Sequence, residues 1–139
     1  QVRADGQRVS VKCEKQQTAA IVDYLRKVLS DLPPPEDRPM PGALELAPPL
    51  DASFVLGPIG LGYDRSNDKV LIQLEEVGEV DEDGEFLDDD RGHVRLYVSR
   101  GQAAAFCDHA DRVVESGRPD CQWCNHPIDP DGHACPRMN

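Results

Sequence analysis

Four residues near the end of the chain carry its clearest chemistry. Cys121 and Cys124 flank a dipeptide in Cys121-Gln-Trp-Cys124, and His133-Ala-Cys135 follows. Two cysteines at this spacing form a knuckle whose turn aims both thiolates, and often backbone N–H groups, at one ion. Asp129-Pro-Asp-Gly132 is a turn sequence that brings the chain back. His133 and Cys135 then supply a second pair. Thiolates and a neutral imidazole suit Zn²⁺, and four such ligands close a tetrahedron. One structural zinc ion on Cys121, Cys124, His133 and Cys135 is therefore expected. The His-x-Cys spacing is tighter than the common second pair. His126 is a rival fourth ligand, but it lies just past Cys124, where the knuckle must still be turning.

Two other chemistries draw on the same residues. A zinc-dependent enzyme needs three protein ligands, an open position and a general base, and Asp129 or Asp131 would be that base. A thiol redox or zinc-release sensor would use Cys121 and Cys124. A thioredoxin-type pair sits between a strand and a helix, with the first cysteine at the helix N-terminus. Here the pair follows Gly117-Arg-Pro119 and leads into a loop with more ligands, which favours the structural ion.

No other motif carries chemistry as well. Gly57-Pro-Ile-Gly60-Leu-Gly62 invites a nucleotide reading, but a phosphate cradle needs a helix directly after its glycines. A turn and a strand follow instead, so a bulge or a close backbone approach is expected. Asp81-Glu-Asp-Gly-Glu85 is a partial calcium loop whose far-end ligand is out of place. Cys107 is expected in the core of a helix and Cys13 buried in a strand. His93 and His109 have no special role.

The totals bound the class. A chain of 139 residues is one domain's worth. No apolar run approaches the roughly 20 residues of a membrane span. Five cysteines, three of them crowded at the C-terminus, fit a cytoplasmic metal site better than a secreted disulfide scaffold. The net charge is −11, and residues 75–92 hold ten acids against one base, Arg91. The protein is thus a near-neutral domain with one acidic loop, expected to be solvated. It lacks the basic footprint of a nucleic-acid binder.

The elements that must position these residues show an internal repeat. At an offset of 85, Val9-Ser-Val11 meets Val94-Arg-Leu96, Gln17-Thr-Ala-Ala-Ile21 meets Gln102-Ala-Ala-Ala-Phe106, and Asp23 meets Asp108. Period-two alternation predicts strands over 8–14 and 93–98. Helical periodicity predicts helices over 16–31 and 100–115. The first presents Ile21, Val22, Leu25, Val28, Leu29 and Leu32 on one stripe and stops at Pro33-Pro-Pro35. The second presents Phe106, Ala110, Val113 and Val114 on its stripe; Ser99 and Gln102 form a capping box, and Gly117 is expected to end the helix in the left-handed region. Strands over Phe54–Tyr63 and Lys69–Glu75 precede the second block. Only Gln1-Val-Arg3, before the Asp5-Gly6 turn, stands for such strands in the first. The chain is therefore expected to begin inside a longer protein, with a counterpart of Phe54–Lys69, roughly twenty residues, ahead of it.

The expected fold is α+β: two pseudo-symmetric β-β-β-α units packed as one domain, plus a short C-terminal zinc knuckle. The first unit covers 1–32, a Pro-rich linker 33–53, the second unit 54–117 and the zinc-binding tail 118–139. Both helices should cover apolar faces of a shared or face-to-face sheet system. A pseudo-two-fold would bring equivalent strand starts together.

Three stretches resemble a known family: Gly60-Leu-Gly-Tyr-Asp64, Gly101-Gln-Ala-Ala-Ala-Phe106, and the tail from Gly117-Arg-Pro119 through Cys121, Cys124, His133 and Cys135 to Arg137. They are similar to an uncharacterised, mainly actinobacterial family of repeat proteins known as domain of unknown function 3090. The resemblance implies ligand positions at Cys121, Cys124, His133 and Cys135 and no histidine at the position of His126, which favours His133. It implies no activity. The expected role is a non-catalytic, protein-binding or adaptor module. The acidic loop 75–92 and the tail around Trp123 and Arg137 are the candidate contact surfaces.

Overall fold

The computed structural model describes residues 1–87, 90–117, 119–126, 128 and 132–137. The architecture is mixed α+β, with two helices and two sheets. A hairpin of β1 (Val2–Ala4) and β2 (Gln7–Val9) turns at Asp5-Gly6, both with positive φ. β3 (Val11–Lys12) leads into α1 (Lys15–Ser30). A 3-10 turn at Pro41–Leu44 precedes β4 (Phe54–Asp64), β5 (Lys69–Glu76), β6 (His93–Val98) and α2 (Arg100–Glu115). The four-stranded sheet runs β3-β4-β5-β6, with β3 parallel to β4 and the other pairs antiparallel.

The core lies between one face of this sheet and both helices. Alternation along β5 sends Val70, Ile72 and Leu74 to that face, where they meet Ile21, Val22 and Leu25 of α1 and Ala103, Cys107 and Ala110 of α2. Leu25 and Val70 are fully enclosed. α1 and α2 run antiparallel: the Arg100 guanidinium at the start of α2 donates to the Pro33 carbonyl just past α1. At the other end, a Cβ on Gly117 would lie 3.4 Å from Lys15 Nζ. The other sheet face carries Leu71, Gln73, Arg95 and Tyr97, and Tyr97 is half exposed.

Helix starts follow local chemistry. Ser99 Oγ accepts from Gln102 N–H at 3.1 Å, and Gln102 Oε1 accepts from Ser99 N–H at 2.8 Å. At α1, Gln17 Oε1 accepts from Glu14 N–H at 2.9 Å, while its amide donates to the Leu56 carbonyl of β4 at 3.0 Å. The register slips between Leu56 and Ile59, and a Cβ on Gly57 would come within 2.7 Å of Val77 Cα. Gly57 therefore serves a bulge and a close backbone approach, as expected, whereas Gly60 and Gly62 meet only the side chains of Gln73 and Leu71.

Several expectations are corrected. The strand read over 8–14 divides at Ser10, whose carbonyl accepts from Ser53 N–H at 2.7 Å, and its halves join different sheets. β3 and β6, the strands that precede the helices, lie at opposite edges of one sheet and run parallel, so a two-fold does not bring their starts together. Cys13 is exposed, because it falls in the irregular link between β3 and α1. On α2, Phe106 and Val113 are exposed, and the buried stripe consists of small residues, Gly101, Ala103, Ala105, Cys107 and Ala110, which let the helix pack close against its neighbours. Gly117 does not take the left-handed conformation; its N–H closes a tight turn onto the Val114 carbonyl. The Pro-rich linker also packs on the domain as a strap. Arg38 pairs with Asp108 at 2.8 Å, and Asp37 packs so closely on Gly101 that a Cβ there would overlap its carbonyl oxygen.

The acids of the 79–87 segment are exposed, as expected of a solvated loop, but the segment is folded into a hairpin. Within it, Val80 bridges Phe86, and Asp81 Oδ1 accepts from the N–H groups of Asp83 and Glu85 at 2.9 Å each. Arg91 stacks on the Phe86 ring, 3.4 Å from its centre. Asp81 thus closes a hairpin turn with its carboxylate. Asp88 and Asp89 lie outside the described residues.

Candidate metal centre

The chain leaves α2 at Gly117 and enters a knuckle. Cys121 N–H donates to the His126 carbonyl at 2.8 Å, and Asn125 N–H returns to the Cys121 carbonyl at 2.8 Å. Asn125 takes φ 57°, the left-handed turn that lets the loop close within so few residues. Ile128 N–H donates to the Pro119 carbonyl at 2.8 Å, so the chain folds back beside its entry. Gly132, with φ 89°, then delivers His133 and Cys135 to the open side of the knuckle.

The outcome is convergence. The Sγ atoms of Cys121, Cys124 and Cys135 and one ring nitrogen of His133 all lie within 4.8 Å of one another. Cys121 Sγ stands 3.8 Å from Cys135 Sγ, and Cys124 Sγ stands 3.2 Å from His133 Nε2. Cys121 is buried, while Cys124, His133 and Cys135 are partly exposed. Trp123 N–H points at Cys121 Sγ from 3.5 Å. That N–H, assisted by the N–H of Cys124, holds the Cys121 thiol below its usual range. At Cys124 the His126 N–H is the largest single influence and lowers the thiol, but burial and the neighbouring thiols together leave it above its usual range.

Three sulfurs and one imidazole in this arrangement can hold a metal ion. The fit rests on donor chemistry and spacing: the set is soft, contains no carboxylate, and has backbone N–H support for a thiolate. The structure brings together all four residues expected from the sequence. It leaves out His126, whose side chain is exposed and whose carbonyl serves the knuckle turn. Asp129 and Asp131, considered above as a base, lie outside the described residues. The other two cysteines are not part of the cluster: Cys107 is buried between the helices, where burial raises its thiol, and Cys13 sits by Thr18. The N–H···S support was expected only in general form from the Cys-x-x-Cys spacing; its donor is a residue that spacing does not mark.

The fold and the cluster define a mixed α+β domain with a C-terminal Cys/His centre that can take a metal ion. The family model described as protein of unknown function (DUF3090) matches residues 1–135, and the chain belongs to that family. No curated protein and no solved structure matches it. Among the described residues, no helix is long and apolar enough to cross a membrane.

Proposed function

We propose that the protein is a non-catalytic module whose C-terminal tail is stapled by one zinc ion on Cys121, Cys124, His133 and Cys135, and that it works by binding another protein. The observation that carries the staple is the meeting of four soft donors within 4.8 Å. Four protein ligands fill a tetrahedron, whereas a catalytic ion keeps a position open. Among the described residues, 132–137 hydrogen-bond only through His133 and Cys135, to Cys124 and Cys121. Binding free energy for the ion is then folding free energy for the tail.

The module reads as two related units, 1–32 and 54–117, joined by the strap and followed by the tail from 118. The helix pair supports this reading. Val22 meets Cys107 and Arg26 meets Asp111, each pair separated by the repeat offset of 85. The contact of Lys15 with Gly117 is matched by that of Arg100 with the chain just past Leu32. A pseudo-two-fold relating the helices, though not the strands, accounts for these pairs.

Binding surfaces are available at the 79–87 hairpin, which exposes Val80 and Leu87 among acids, and at Trp123 and Arg137 of the tail. Metal analysis of protein purified without added metal tests the staple, with one zinc per chain expected. Affinity capture from the native host, repeated with the 79–87 hairpin replaced by a short glycine-serine turn, tests the surface. The reading requires at least one captured protein to be lost on replacement.

A further inference from the structure

The cysteine cluster has a second capability, separate from holding an ion. Cys121 Sγ and Cys135 Sγ lie 3.8 Å apart across the centre, while Cys124 Sγ faces His133 Nε2 at 3.2 Å. We propose that the cluster is an oxidation-sensitive site whose disulfide is Cys121–Cys135, so that a covalent staple replaces the metal and keeps the tail docked. This rests on the metal reading above. It differs from a Cys-x-x-Cys switch: a Cys121–Cys124 bond would strip His133 and Cys135 of their partners, and the tail would come loose.

The 3.8 Å approach of the two sulfurs sets the pair, and Cys121, 3 % exposed, is the more enclosed of the two. The exchange begins when a small peroxide reaches Cys135. The Cys135 thiolate attacks one peroxide oxygen; the O–O bond breaks, hydroxide leaves, and a sulfenic acid remains. The Cys121 thiolate then attacks that sulfur, the S–S bond forms, and a second hydroxide leaves. The two sulfurs supply two electrons, the peroxide takes them, and two protons from solvent complete two waters. Cys124 and His133 remain as the only ligands, too few to retain the ion. The bond joins two segments already in contact, so 132–137 stays against the knuckle.

The test treats full-length, zinc-loaded protein with hydrogen peroxide and follows zinc release with a chromogenic chelator, intact mass, and peptide mapping under non-reducing conditions. The expected result is zinc release in step with the loss of two hydrogens, a mapped Cys121–Cys135 bond, and reversal by dithiothreitol with zinc rebinding. Cys124→Ala should still form the bond, and Cys135→Ser should not. A mapped Cys121–Cys124 or Cys124–Cys135 bond, oxygenated cysteines without a disulfide, or full retention of zinc each overturns the proposal. If the purified protein holds no zinc, the metal reading fails on its own, and mapping on that same protein still decides the disulfide.

Discussion

Cys107 Sγ, in the middle of α2, lies 3.9 Å from the carbonyl oxygen of Val22, in the middle of α1. The helix pair therefore packs about its own midpoint, with Leu25 fully enclosed beside the contact. Truncating Leu25 removes apolar contacts from the place where the helices and β5 meet. Leu25→Ala should cost about 2–5 kcal/mol of stability, read as a lower urea midpoint. An unchanged midpoint would show that this interface does not hold the domain together.

The strap gives a sharper steric test. A Cβ on Gly101 would overlap the Asp37 carbonyl oxygen; its position is fixed by the helix and the oxygen is backbone, so one segment must move. Gly101→Ala should destabilise the protein by about 1–3 kcal/mol as an overpacking change, against the gain that alanine normally brings inside a helix. Limited proteolysis should show faster cleavage within 33–38. A more stable protein with an unchanged cleavage pattern would mean that the strap does not sit on α2.

Asp68 ties the β4–β5 turn to α2. Its carboxylate accepts from Tyr63 Oη at 2.6 Å and from Arg100 Nε at 2.9 Å, and these partners hold its carboxyl below the usual range, Tyr63 contributing most. A carboxyl lowered in the folded state adds stability above its unfolded pKa and loses it as pH falls through the folded value. Asp68→Asn should therefore narrow the stability difference between neutral and acid pH. Urea midpoints from neutrality down to about pH 3, below the ordinary aspartate value, measure this. Parallel curves for the two proteins would remove Asp68 from the acid response.

What was legible in the sequence was local. Both helices, their lengths and the Ser99–Gln102 box follow from periodicity and from hydroxyl chemistry at one turn, and the four cluster residues follow from spacing and donor type. What escaped depends on partners distant in sequence. The break at Ser10 reflects its bond to Ser53, and the strap reflects a missing side chain at Gly101 that Asp37 exploits. Cys13 sits in an apolar-looking run, but that run ends one residue earlier, at Lys12. The acidic hairpin escaped for the opposite reason: charge density implies repulsion, yet Asp81 turns its carboxylate onto backbone N–H groups, and Phe86 packs beneath Arg91.

The choice between His133 and His126 can be decided by paired variants. His133 Nε2 faces Cys124 Sγ at 3.2 Å, whereas the His126 ring is exposed and only its backbone carbonyl serves the knuckle. Any side chain at 126 keeps that carbonyl, so His126→Ala should retain zinc stoichiometry and affinity. His133→Ala leaves three thiolates and a vacant position, and its affinity for zinc should fall by tenfold or more, on the order of 1.4 kcal/mol per factor of ten. Competition with a chelator of known affinity measures both. Cobalt substitution adds an independent view, since a tetrahedral thiolate-rich site gives intense visible absorption that loss of a ligand shifts. Equal loss in both variants would point to a knuckle that depends on both rings. Loss only in His126→Ala would reassign the fourth ligand and reverse the fold-back at Gly132.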